Sequence, residues 1–149
     1  MPGYRGHIAG GALLYGGLLA GAAWTGLVRP NPEEGLVLGM VAVMGALFPD
    51  TDTDSKGQNL FYAILVILDL ALLVKEMYRW AALLGFCALL PAVGRHRGWT
   101  HTWWAMLLVP LPILVFPVVF YNLPVQRPLP FYLAAVTGYF SHLALDRKF

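Results

Sequence analysis

Six apolar runs, joined by short polar or proline-bearing links, take up nearly the whole chain, at residues 8–28, 32–48, 59–74, 77–93, 102–121 and 129–145. A helix rises ~1.5 Å per residue, so about 20 apolar residues cross the ~30 Å hydrocarbon layer of a bilayer. The first run meets that length, and the shorter ones sit at its lower limit. Composition agrees: 58% of residues are hydrophobic and 12% charged, against about 25% charged in a soluble domain. The mean hydropathy is +0.64. The expected fold is an all-α integral membrane protein, one domain over residues 1–149, folded as a compact bundle of about six transmembrane helices. Only Lys75 and Glu76 separate the third and fourth runs, which demands a tight turn. A short re-entrant hairpin there would leave the parity of the other crossings unchanged. The first run exceeds a signal-peptide core and lacks a cleavage pattern, so it reads as a retained span.

Local signals refine this picture. Asn31 suits a helix N-cap, Pro32 the first helical position, and Glu33 and Glu34 the positive end of the helix dipole. Gly6 and Gly10, Gly17 and Gly21, and Gly35 and Gly39 are each four apart, a spacing that lets helices approach closely in lipid. These faces would permit pairing of copies, although nothing specifies a homo-oligomer. The lone Cys87 excludes an internal disulfide and reads as a small buried residue. A net charge of +2 without a basic cluster argues against nucleic acid as a partner. Membrane lipids are the expected surroundings.

With the amino terminus on face one, six crossings return the chain there after the second, fourth and sixth spans. Face one then carries Arg5, Lys56, Arg95, Arg97, Arg147 and Lys148, and face two Arg29, Lys75, Arg79 and Arg127. This excess favours face one as cytoplasmic.

The same parity gathers the polar residues that could bind a metal. His7 precedes the first span, and Asp50 and Asp52 follow the second. His96 and His101 lie between the fourth and fifth, and His142 and Asp146 close the sixth. All seven fall on face one. His142 and Asp146 are one turn apart on a helix face. Asp50 and Asp52 alternate in a turn after Pro49. His101 follows Thr100, read as the N-cap of the fifth helix, and Gly98 frees the loop to bring in His96. Imidazole and carboxylate together suit zinc, iron or manganese. Each piece also has a plainer reading: His7 as an interfacial residue, His142 with Asp146 as a helix-end pair, and the aspartates as turn formers. Asp54 reads as loop solvation. Asp69, inside the third span, reads as an interhelical contact nearer face two. Trp99, Trp103 and Trp104 fit an aromatic belt.

Four segments in order carry a resemblance: Tyr4-Arg5-Gly6-His7, then Gly45-Ala46-Leu47-Phe48-Pro49-Asp50-Thr51-Asp52. His96-Arg97-Gly98-Trp99-Thr100-His101 comes next, and Gly138-Tyr139-Phe140-Ser141-His142-Leu143-Ala144-Leu145-Asp146 last. From end to end the chain resembles the YdjM-type family of LexA-regulated, membrane-bound, predicted metal-dependent hydrolases. That family usually has Ile or Leu where Thr51 stands, and both flanking carboxylates are kept. The resemblance implies a multi-pass bacterial or archaeal membrane protein, here expected in the inner (plasma) membrane, with hydrolase activity.

The expected centre holds one or two divalent ions, zinc being favoured over manganese or iron. Its candidate ligands are His7, Asp50, Asp52, His96, His101, His142 and Asp146. An uncoordinated carboxylate such as Asp52, or His96, would move a proton. Arg97, with Arg5 or Arg95 in support, would neutralise a phosphoryl oxygen. The substrate expected from position alone is an ester or phosphoester at the bilayer surface, such as a phospholipid. Two other functions stay open. One is a non-enzymatic metal-binding, transport or scaffold protein. The other is a metal-independent histidine lipid phosphatase, suggested by the His142-to-Asp146 spacing, although the rest of that signature is missing.

Overall fold

The computed structural model describes residues 3–29, 31–52, 54–93 and 98–146, with the side chains of 90–93 excepted. Among the described residues the regular elements are all helical. They are α1 (Tyr4–Trp24), α2 (Pro32–Leu47), α3 (Lys56–Val74), α4 (Tyr78–Val93), α5 (Trp103–Leu108), α6 (Leu111–Tyr121) and α7 (Leu129–Asp146). A 3-10 turn, Phe48–Asp52, prolongs α2, and another, Trp99–His101, precedes α5. Four stretches are long and apolar enough to cross a membrane: Tyr4–Trp24, Pro32–Asp52, Lys56–Val74 and Trp103–Tyr121. Large apolar side chains such as Leu13, Leu18, Ile67 and Phe120 lie exposed around the bundle. Lipid tails are as apolar as these side chains, so their exposure to lipid carries no penalty.

Asn31 caps α2 as its sequence predicts, accepting from the Glu34 N–H at 2.7 Å, with Pro32 in the first turn. Other boundaries differ from expectation. The first span runs about one turn earlier at both ends, from Tyr4 to Trp24. Its polar start is helical because it packs inward, and Gly26 at φ +74° turns the chain at the other end. His7 therefore sits inside the helix rather than before it. Ser55 caps α3 by accepting from the Gln58 N–H, so that helix begins at Lys56. Thr100 does not cap the fifth span. Thr102 does, accepting from the Ala105 N–H at 3.3 Å. The fifth span itself breaks between α5 and α6, where Pro110 and Pro112 lack the N–H groups a helix needs.

The glycine expectation also needs correction. Gly17, Gly21, Gly35 and Gly39 face open space, with no atom within 4 Å of where a Cβ would sit. Gly10 lies against Leu145, so it does sit at an interface. The closest approach, however, is between α2 and α7. A Cβ on Gly45 would strike the Ala135 carbonyl, and one on Gly138 the Ala42 carbonyl. At this crossing the two backbones touch, and α7 lies against both α1 and α2. Leu47, Phe48, Phe61, Leu65, Ala105, Tyr139 and Leu143 form the main buried cluster just inside the site face.

Candidate metal centre

The glycine crossing explains where the polar residues meet. His142 lies one turn beyond Gly138, and Ala46 directly follows Gly45. With the backbones in contact there, His142 Nδ1 reaches the Ala46 carbonyl oxygen at 2.7 Å. A carbonyl only accepts, so Nδ1 carries the hydrogen and donates. The neutral ring then presents a bare Nε2.

That Nε2 is the hub of the cluster. It lies 3.3 Å from His101 Nε2, 3.6 Å from Asp50 Oδ1 and 3.5 Å from Asp146 Oδ2. His101 Nε2 lies 3.8 Å from the same two oxygens. Each carboxylate thus forms a triangle with the two imidazoles, and the triangles share the His101–His142 edge. His7 comes in from α1. Its ring stacks on that of His142 with centroids 3.8 Å apart, and its Nε2 lies 3.5 Å from Asp146 Oδ1. His7 and His142 are buried, Asp146 nearly so, and Asp50 keeps 25% of its side chain exposed.

This donor set suits a cation. Two carboxylates and two imidazole Nε2 atoms converge in a largely buried place, and carboxylates buried so closely are costly without positive charge beside them. Ligands ~2.0–2.1 Å from a tetrahedral zinc stand about 3.3–3.4 Å apart, close to the edges measured here. The hydrogen bond from His142 to a main-chain carbonyl is what metal-bound histidines usually make with their second nitrogen. His7, Asp50 and His142, and likewise His101, His142 and Asp146, each offer atoms within 4.8 Å of one another. His7 Nδ1 is buried without a hydrogen-bond partner among the described residues, a further donor or acceptor left for a ligand.

Of the residues expected at the site, the structure brings His7, Asp50, His101, His142 and Asp146 together. Asp52 stands apart from them: its Oδ2 accepts the Thr100 hydroxyl at 3.0 Å. His96, Arg95, Arg97, Arg147 and Lys148 lie outside the described residues. Asp54 is exposed. Asp69 lines a separate cavity of about 160 Å³ between α3 and α4. Thr51 is buried, and its hydroxyl donates to the Phe48 carbonyl at 2.7 Å. The threonine is therefore satisfied in its buried place. Gln58 steadies the same turn, donating to the Thr51 carbonyl at 2.8 Å.

Sequence reasoning missed three parts of this framework. The Ala46 carbonyl is a main-chain group, so no residue type announces it. Tyr139, whose hydroxyl donates to the Thr100 carbonyl, looks like one more aromatic in an apolar span. Thr100 reads as a helix cap in the sequence, because its partner Asp52 comes from a distant segment.

A sequence model of the family described as YdjM inner membrane protein matches residues 1–147. The chain belongs to that family. The match runs through all four segments that carry the converging side chains, so the inner-membrane setting applies to the whole bundle. No curated protein and no solved structure matches the chain.

Proposed function

We propose that this member of the YdjM family is a metal-dependent hydrolase at the cytoplasmic surface of the inner membrane. Its substrate is an ester or phosphoester presented there, such as that of a phospholipid. The observation that carries this reading is the pair of Nε2 atoms of His101 and His142, 3.3 Å apart and flanked by Asp50 and Asp146. Both triads share His142, whose other nitrogen is taken by Ala46. That sharing favours one ion. When bound, a divalent ion would supply a Lewis acid and a water whose pKa is lowered toward ~7.

The chain's own residues do the rest. His142 is buried, His101 and Asp146 nearly so, and the three hold the ion's position. Asp50 is the donor that reaches the aqueous edge, so substrate approaches beside it and it can take a proton from the attacking water. His96 is the alternative proton carrier. Arg97, with Arg5 or Arg95, neutralises the charge developing on a phosphoryl oxygen. The basic excess on this face supports its cytoplasmic orientation.

The test is hydrolysis of mixed bilayer lipids by purified protein, with and without EDTA and with His101→Ala. Loss in both cases is expected. Hydrolysis that ignores both changes would overturn the proposal, and a chelator-resistant phosphohistidine would point to a histidine phosphatase. The burial of His7, His142 and Asp146 also suits a closed metal-binding, transport or scaffold site. Bound metal with four protein ligands and no exchangeable water would favour that second reading.

A further inference from the structure

We propose that Thr100 is a positioning residue for the metal centre: its hydroxyl, anchored on Asp52, holds the His101 ring in the tautomer that turns a bare Nε2 toward His142. This rests on the reading of the cluster as a metal site. The donors and acceptors around the Thr100 hydroxyl fix where its hydrogen goes. Thr100 Oγ1 lies 3.0 Å from Asp52 Oδ2 and 3.2 Å from His101 Nδ1. A hydroxyl has one hydrogen to give and can accept as well. An ionised carboxylate only accepts, so the hydrogen goes to Asp52. Oγ1 is then left to accept, and the group facing it must be His101 Nδ1–H. In a neutral ring this leaves Nε2 without hydrogen, facing His142 Nε2.

The reverse arrangement is worse on the same count. If Thr100 gave its hydrogen to His101, Asp52 Oδ2 would lose its donor. Asp52 Oδ1 is already buried without a partner among the described residues. His101 would also point an N–H into the space where the donors converge.

The surroundings hold Thr100 still. It is fully buried. Its carbonyl accepts from the Tyr139 hydroxyl on α7. Two residues on, the Thr102 hydroxyl donates to the Trp99 carbonyl at 2.6 Å. The 3-10 turn is thus tied to α7 on one side and to α5 on the other. Asp52 enters from the turn that ends α2. The chain Asp52–Thr100–His101 therefore makes one histidine's orientation depend on two other segments. It also gives Asp52 a place behind the ligands rather than among them.

The experiment is zinc titration against a competing chelator on the full-length protein in detergent, with 15N NMR of labelled histidines. Thr100→Val keeps the shape and removes the hydroxyl. It should weaken zinc ~10–100-fold, the usual effect of losing a group that orients a metal-bound histidine. Thr100→Ser should bind as wild type. Asp52→Asn should stay close to wild type, because an amide oxygen can accept the same hydroxyl, whereas Asp52→Ala should fall with Thr100→Val. The wild-type spectrum should show His101 protonated at Nδ1, and Thr100→Val a mixture of tautomers. Wild-type affinity in Thr100→Val overturns the proposal, as does equal loss in Asp52→Asn and Asp52→Ala, which would make Asp52 a ligand. If the wild-type protein binds no zinc and His142→Ala changes nothing, the metal reading itself falls. The His101 spectrum then decides on Thr100 alone: unchanged tautomers in Thr100→Val overturn its role, and mixed ones uphold it.

Discussion

Adding one methyl group at Gly138 should dismantle the centre from a distance. The new Cβ would overlap the Ala42 carbonyl well inside contact distance. A carbonyl of a helix backbone cannot rotate away as a side chain can, so α2 and α7 would have to separate by roughly 1 Å or more. His142 Nδ1 starts 2.7 Å from the Ala46 oxygen. That separation takes the pair beyond the range at which a hydrogen bond exists, roughly 3.5 Å. Overpacking costs about 1–3 kcal/mol, and a buried N–H left without its acceptor about 1–3 more. The gain in helix propensity from Gly to Ala returns ~1 kcal/mol. The net expectation for Gly138→Ala is a loss of about 1–5 kcal/mol together with loss of bound zinc. Gly39→Ala is the control, since no atom lies within 4 Å of its Cβ position, and it should gain up to ~1 kcal/mol. Thermal unfolding in detergent gives the first quantity, and zinc retained after dialysis the second. Gly138→Ala and Gly39→Ala behaving alike in both would refute the reasoning.

Three further outcomes are expected. Zinc at 100 times its dissociation constant should stabilise the protein by ~2.7 kcal/mol; a melting temperature that zinc raises equally in His142→Ala would place the ion elsewhere. Asp69→Leu should raise the melting temperature, because Asp69 Oδ1 is buried without a partner among the described residues and such a group costs ~1–3 kcal/mol; a lower temperature would mean that Asp69 is paired. Asn31→Ala should cost ~1 kcal/mol by removing the cap on Glu34, and an unchanged unfolding profile would show that α2 is held by packing alone.

Hydropathy alone placed the helical segments, because lipid leaves few other options for a run of that length. Parity then put His7, Asp50, His101 and His142 on one side without any knowledge of packing. Close approach was harder to see. Gly35 and Gly39 carry the familiar spacing, yet they face open space, and Gly45 and Gly138 do the work although they are far apart in sequence. What a glycine admits belongs to another helix, so spacing within one helix cannot decide which is used. The same limit applies to Thr100. A threonine next to a helix start reads as a cap, and only Asp52 arriving from another segment turns its hydroxyl elsewhere. Hydropathy starts α1 too late because Tyr4-Arg5-Gly6-His7 is polar. Helix formation there follows from burial of His7, which hydropathy does not register.

The elbow between α5 and α6 has a mechanical consequence. Pro110 and Pro112 deprive the Met106 and Leu108 carbonyls of donors one turn onward. The Leu107 carbonyl between them takes the hydroxyl of Tyr132 on α7 at 3.1 Å. The short rod that follows His101 is thereby clamped to the rod that carries His142, and the two prolines set it off from α6, which packs on α7 and stacks Tyr121 on Trp80 of α4. When bilayer thickness changes and α6 leans to match it, the lean should be spent at the elbow and the two imidazoles should keep their spacing. Distance measurements between spin labels on α5, α6 and α7 in thin and thick bilayers would show α6 moving alone, and α5 travelling with it would break the idea.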